Sequence, residues 1–182
     1  VYLMRPQLPL GCFDLCVIPR HDNPPARANV IVSEGPLNPM RPSTGRDARL
    51  GLILLGGPSA HHAFDVKDVL RQIDALLART QAQGLHWVVT DSRRSPAALA
   101  SRLAARRDLA FHSHRDTAPD WLPGMLASAA QAWISVDSMA MIFEALSAGA
   151  AVGLLDVSAR RRDRITAIAD DLRARGLVMT GL

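Results

Sequence analysis

From residue 50 onward, strand-length apolar runs alternate with segments of helical period, and this alternation narrows the fold more than any other feature of the chain. It predicts strands over Leu50–Leu55, His86–Thr90, Leu109–Phe111, Ala132–Val136 and Ala151–Leu155, with a last short apolar run at Leu177–Met179. Helices are predicted over Asp65–Gln83, Ser95–Arg106, Asp120–Ala130, Asp137–Ala148 and Arg160–Arg175. Asp65 and Ser95 read as N-caps, Pro96 as a first-turn proline, and Gly84 and Gly149 as helix stops. The strands are continuous apolar runs, which a sheet covered on both faces requires. Strand-to-helix-to-strand order implies right-handed crossovers, hence a mostly parallel, doubly wound α/β sheet of Rossmann-like type.

The first 48 residues read differently. They hold eight of the twelve prolines and two short apolar runs, Phe13–Ile18 and Asn29–Ser33, each of strand length. No helix of normal length fits between them. The expected organisation is a Pro-rich segment with two strands over 1–48, then a Rossmann-like domain over 49–182.

Composition excludes several classes. At 182 residues, 48% apolar and 21% charged, the chain is of ordinary globular type and needs no disulfide or metal to hold a core. Cys12 and Cys16 form no disulfide framework and no zinc pattern, and read as core residues. No run reaches the roughly 18 apolar residues of a membrane span, and the start lacks a leader pattern. The expected location is therefore cytoplasmic, with peripheral contact at a membrane surface as an alternative. Basic charge comes from 20 Arg and one Lys, for a net +4, yet aromatic residues make up only 4%. That is a poor match to a nucleic-acid reader, which needs stacking rings.

In an open parallel sheet, ligands bind beyond the carboxyl ends of the strands. Four predicted strands end there in polar, turn-forming residues: Gly56–His62, Thr90–Pro96, His112–Thr117 and Val136–Met139. A helix start follows each, and free N–H groups at a helix start favour an anion. Gly56 and Gly57 would let backbone amides approach a phosphate, with Ser59 close behind; an ordinary strand-to-loop turn is the plainer reading. Neither a dinucleotide fingerprint nor a P-loop is present. Ser92, Arg93 and Arg94 precede a helix start, where positive charge is unfavourable unless an anion arrives. Asp137 or Ser138 opens the next helix, and Glu144 lies about two turns in, roughly 10 Å along the axis. A carboxylate among apolar residues needs a partner, either a nearby arginine or the diol of a sugar. His61, His62, His112 and His114 lack the spaced carboxylates of a metal site, so no metal is expected. Arg160–Arg164 reads as a solvated helix start, or as a contact with a membrane or partner. Ser92 and Ser138 lack the nucleophile elbow, and no catalytic residue stands out.

The chain also resembles a known family through Phe13–Leu15 and Pro19–Asp22, Asn29–Asn38, Leu54–Ser59 (LLGGPS), Ser92–Pro96 (SRRSP) and Asp137–Gly149 (DSMAMIFEALSAG). It is similar, from about residue 12 onward, to the mitochondrial fission family of ELM type. Bacterial members of that family are labelled predicted nucleoside-diphosphate-sugar epimerases or glycosyltransferases. The resemblance implies the C-terminal half of a GT-B glycosyltransferase, preceded by the last strands of an N-terminal domain. It implies a nucleotide sugar as substrate, no tightly bound cofactor and no metal. Glu144 would take the ribose, and Gly56, Gly57, Arg93, Arg94 and Ser138 the diphosphate; the sugar acceptor stays unassigned. The chain departs from the family pattern at Ala140, where a serine is usual, and at Ala150–Ala151, where lysine and proline are usual. The alternatives are an epimerase of GT-B type that uses no NAD, and a non-catalytic module at a membrane surface.

Overall fold

The computed structural model describes residues 1–179; Thr180–Leu182, the end of the expected 49–182 domain, lie outside the described residues. The chain forms two compact units, Val1–Pro39 and Met40 onward. In the first unit, β1 (Cys16–Pro19) runs parallel to β2 (Val30–Ser33), with Cys16 opposite Val30. The predicted strand at Phe13 starts only at Cys16, because Leu10–Cys12 closes a 3-10 turn against Pro9. Asn29 holds that turn by donating from Nδ2 to the carbonyls of Leu10 (2.8 Å) and Phe13 (2.9 Å).

The second unit contains β3 (Asp47–Leu54), β4 (His62–Ala63), α1 (Val66–Thr80), β5 (His86–Thr90), α2 (Ala97–Ala104), β6 (Ala110–His112), α3 (Trp121–Ser128), β7 (Ala129–Ser135), α4 (Met139–Ala148), β8 (Ala151–Leu155), β9 (Ser158–Ala159) and α5 (Ile168–Ala174). Five strands form one sheet in the order β6-β5-β3-β7-β8, every neighbouring pair parallel. This is the doubly wound, Rossmann-like arrangement that the strand–helix alternation predicts. The order reverses between β3 and β7, so the switch point lies where those two strands end.

Strand period explains the double cover. Leu52 and Leu54 face α3, α4 and α5, packing with Leu126, Ile142, Phe143, Ile168 and Leu172. Ile53 and Leu55 face α1 and α2, packing with Val69, Ile73, Leu76, Leu99 and Leu103. Asp65 caps α1, its Oδ1 accepting from the N–H of Lys67 (2.8 Å) and Asp68 (3.4 Å). Gly149, at φ 82°, ends α4. At the same end Arg46 donates to the carbonyls of Leu126, Ala129 and Ala148, placing a cation where two helices end in free carbonyls.

Cys12, expected in the core, is exposed, whereas Cys16 is buried. Two further sequence expectations are corrected. The helix expected over Arg160–Arg175 shrinks to Ile168–Ala174, and the Arg160–Arg164 run is not a helix start. Asp163 folds residues 160–167 into turns: Oδ1 accepts from Ile165 N (2.9 Å) and Thr166 N (3.1 Å), while Thr166 Oγ1 accepts from Asp163 N (2.9 Å). The second correction concerns Ser95, which does not cap α2. Pro96 holds that position, and the Ser95 hydroxyl reaches the carbonyls of Leu55 and Gly56 instead. One feature had no sequence signal: β4 and β9 pair antiparallel, His62 with Ala159. Two-residue strands are too short to show a period.

Gly51 and Gly153 sit under tryptophan rings. A Cβ at Gly51 would lie 2.6 Å from Trp87 ring carbons, and one at Gly153 within 2.6 Å of Trp133 carbons. Gly51→Ala and Gly153→Ala are each expected to cost about 1–3 kcal/mol by overpacking, read from urea unfolding followed by tryptophan fluorescence.

Candidate functional site at the sheet switch point

The site begins with two glycines that follow β3. A side chain on Gly56 would collide with the Asp137 carboxylate and the Ser138 hydroxyl, and one on Gly57 with the Arg94 backbone carbonyl. Both positions demand glycine because three loops meet there: the one after β3, the one after β5 and the one after β7.

The glycine amides are already hydrogen-bonded. Gly56 N donates to Ser135 Oγ (2.8 Å), and Gly57 N donates to Asp137 Oδ2 (2.8 Å). Arg94 crosses the same space, donating to the Gly57 carbonyl (2.8 Å), Asp137 Oδ2 (3.1 Å) and Ser138 Oγ (3.1 Å). The Asp137 side chain has 0% exposure, whereas Arg94 keeps 42%. Asp137 Oδ1 is buried with no hydrogen-bond partner among the described residues. The protein's own carboxylate thus occupies the amide and the guanidinium that the sequence reading assigned to a diphosphate.

The other expected site residues are distributed around this knot. Ser92 Oγ accepts from Arg94 N (3.3 Å) and lies 3.3 Å from Ser95 Oγ, shaping the loop. Arg93 is exposed and makes no hydrogen bond or ion pair with the described residues. Ser59 Oγ accepts from the N–H of His61 (3.2 Å) and His62 (3.0 Å), closing its own turn. Ser138 precedes α4 without making a side-chain cap, so the first turn of that helix keeps its N–H groups uncapped by side chains. Glu144 is half-buried on α4 and forms neither a hydrogen bond nor an ion pair with the described residues. Burial pushes its carboxyl above the ordinary value. The arginine partner weighed from the sequence is therefore not there.

Three further polar groups belong to the site, and the sequence reading passed over them. Ser135 and Ser95 hold the glycine loop from either side. Asp91, at the end of β5, binds His114 through its Oδ1, which accepts from His114 N (2.7 Å) and lies 2.9 Å from Nδ1. The only hint was position, a polar residue directly after an apolar strand.

Beyond the ends of β7 and β8, a cavity of about 390 Å³ is lined by His62, Val136, Asp156, Arg161, Arg162 and Arg173. Its arginines are paired: Arg161 with Asp163, Arg162 with Asp170, and Arg173 with Asp156. His61 Nδ1 lies 2.8 Å from Asp163 Oδ2, and this bond, with the Thr166 amide, holds Asp163 well below the usual carboxylate range. Among the described residues, no three His, Cys, Asp or Glu side chains gather as metal ligands. No helix among them is long and apolar enough to cross a membrane.

Two predictions follow from the local energetics. Asp137→Ala strips the Gly57 amide of its acceptor and Arg94 of its counterion. The expected loss is about 1–3 kcal/mol, kept modest by the exposure of Arg94, and Asp137→Asn should lose less; urea midpoints measure both. Glu144 behaves in the opposite sense. Its folded carboxyl binds a proton more tightly than the unfolded one, whose ordinary pKa is 4.5, so stability falls as pH rises through the folded value. Glu144→Gln should therefore be more stable than wild type at pH 7, and the difference should vanish well below pH 4.5.

Comparison with curated proteins finds no match. The model of the family described as mitochondrial fission ELM1 matches residues 1–180, so the chain belongs to that family.

Proposed function

We propose that the unit from residue 40 onward binds a nucleoside-diphosphate sugar, as the donor-binding domain of a GT-B-type glycosyltransferase. The observation that carries this reading is Glu144: a half-buried carboxylate with no partner among the described residues, on the helix that starts at the switch point. Keeping an ionised group there is costly, and a ligand offering two hydroxyl donors would offset the cost. The ribose diol of a nucleotide is such a ligand. Arg93 and the uncapped first turn of α4 then meet the diphosphate, by charge and by N–H donation. Gly56, Gly57, Asp137, Ser138 and Arg94 form the floor of the site. They hold the loops after β3, β5 and β7 together while leaving the exposed side of Arg94 toward the ligand. Ser59 and Ser92 support the two loops that border it.

Saturation-transfer NMR tests this with a panel of nucleoside diphosphates and nucleotide sugars. Wild type should bind at least one of them, and Glu144→Ala should weaken binding roughly tenfold or more, as loss of a charge-assisted hydrogen bond does. Wild-type protein that is folded and binds none of the panel would refute the reading.

A further inference from the structure

The pair Asp91 and His114 stands apart from the hydrogen bonds that join Gly57, Arg94 and Asp137. Asp91 sits directly after β5 with a side chain only 6% exposed, and His114 stands in the loop after β6 with 26% exposed. Oδ1 of Asp91 accepts the His114 backbone N–H at 2.7 Å and faces the ring Nδ1 at 2.9 Å. A carboxylate can only accept, so the ring proton resides on Nδ1 and the lone pair of the neutral imidazole on Nε2. Nε2 makes no hydrogen bond with the described residues. The loop that carries the ring is itself held, by Asp116 N to Ser113 O (2.9 Å) and Thr117 Oγ1 to His114 O (3.4 Å). Only Ser92 and Arg93 lie between Asp91 and Arg94, so the aspartate belongs to the same loop that closes the switch point. A buried carboxylate thus fixes the tautomer of a partly exposed imidazole at the ligand-facing edge of the sheet.

The geometry points to His114 as a ligand-contacting residue whose Nε2 accepts a hydrogen bond from a hydroxyl or N–H of the bound nucleotide sugar, with Asp91 as its positioning residue. The inference rests on the nucleotide-sugar reading above and adds to it a directional acceptor separate from Glu144. The donor group lies either on the nucleoside or on the transferred sugar, since both carry hydroxyls. The plainer role for His114 is to satisfy the Asp91 carboxylate and nothing more, which would engage the Nδ1 side alone. The two ring nitrogens can be replaced separately: asparagine reproduces the Nδ1 position and keeps the bond to Asp91, whereas glutamine places a polar group near Nε2.

The test compares wild type, Glu144→Ala, His114→Asn and His114→Gln for binding of nucleoside diphosphates and nucleotide sugars by the same NMR method, with thermal unfolding alongside. His114→Asn should unfold near the wild-type temperature yet bind roughly three- to tenfold more weakly, the loss expected for one hydrogen bond. His114→Gln should keep more of the binding and lose more of the stability. Weakening toward both ligand types places the donor group on the nucleoside, and weakening toward nucleotide sugars alone places it on the sugar. A second measurement needs no variant: in long-range proton–nitrogen spectra of wild type, the Nε2 resonance should move upfield when ligand saturates the protein. His114→Asn binding within twofold of wild type, or an Nε2 signal unmoved at saturation, overturns the inference while Glu144→Ala still reports on the nucleotide reading. Wild type that binds none of the panel overturns both.

Discussion

Leu52, Ile53, Leu54 and Leu55 have no exposed surface, and the second unit is organised around that burial. Successive residues along β3 and just past its end point alternately to opposite faces, so both faces need cover. Helices α3, α4 and α5 supply one cover, and α1 and α2 the other. Each helix returns the chain to the same end of the sheet, which makes every strand parallel and collects the strand-to-helix loops along one edge. With β3 central and neighbours added first on one side and then on the other, the loops after β3 and β7 part at the switch point. The site follows from how the core is covered.

What fills that point is unusual for a crevice expected to hold an anion. The buried Asp137 carboxylate already accepts from the Gly57 amide and from Arg94. The burial of Asp137 strengthens its bond to the Gly57 amide, and bonds from Arg94 and from the Ser95 and Ser135 hydroxyls join the same three loops. The groups left open are of a different kind: the exposed Arg93, the uncapped first turn of α4, the half-buried Glu144 and the partly exposed ring of His114. A floor of interlocked polar groups bordered by open ones is the arrangement a binding site needs. Burial disfavours the ionised form of Glu144, and no partner among the described residues offsets that.

Much of this was legible from residue order. The runs at His86–Thr90 and Ala151–Leu155 became strands with those bounds, because buried parallel strands are continuous apolar runs and need no partner to be recognised. Caps were less reliable. Asp65 caps α1 as its position suggested, yet Ser95, with an equally good local pattern, turned its hydroxyl to Leu55 and Gly56. The same limit applies to Arg160–Arg175, whose apolar spacing is helical but whose first half is held in turns by Asp163. Side chains of Ser and Asp have several backbone groups in reach, and which one wins depends on contacts from elsewhere in the chain.

The sequence by itself determined the alternation of elements, the sheet's double cover, the edge at which polar loops gather and the isolation of Glu144 among apolar residues. These depend on hydrophobic period and on residue type, which are local properties. Tertiary structure alone decided that the Gly57 amide is taken by Asp137, that Arg94 crosses to the loop after β7, that Glu144 makes no ion pair among the described residues, and that Asp91 contacts the His114 ring. Each of these joins or separates groups between 23 and 80 residues apart or on different elements. A hydrogen bond falls off within a few tenths of an ångström, so its partner is chosen by the placement of whole strands and helices and not by nearness along the chain.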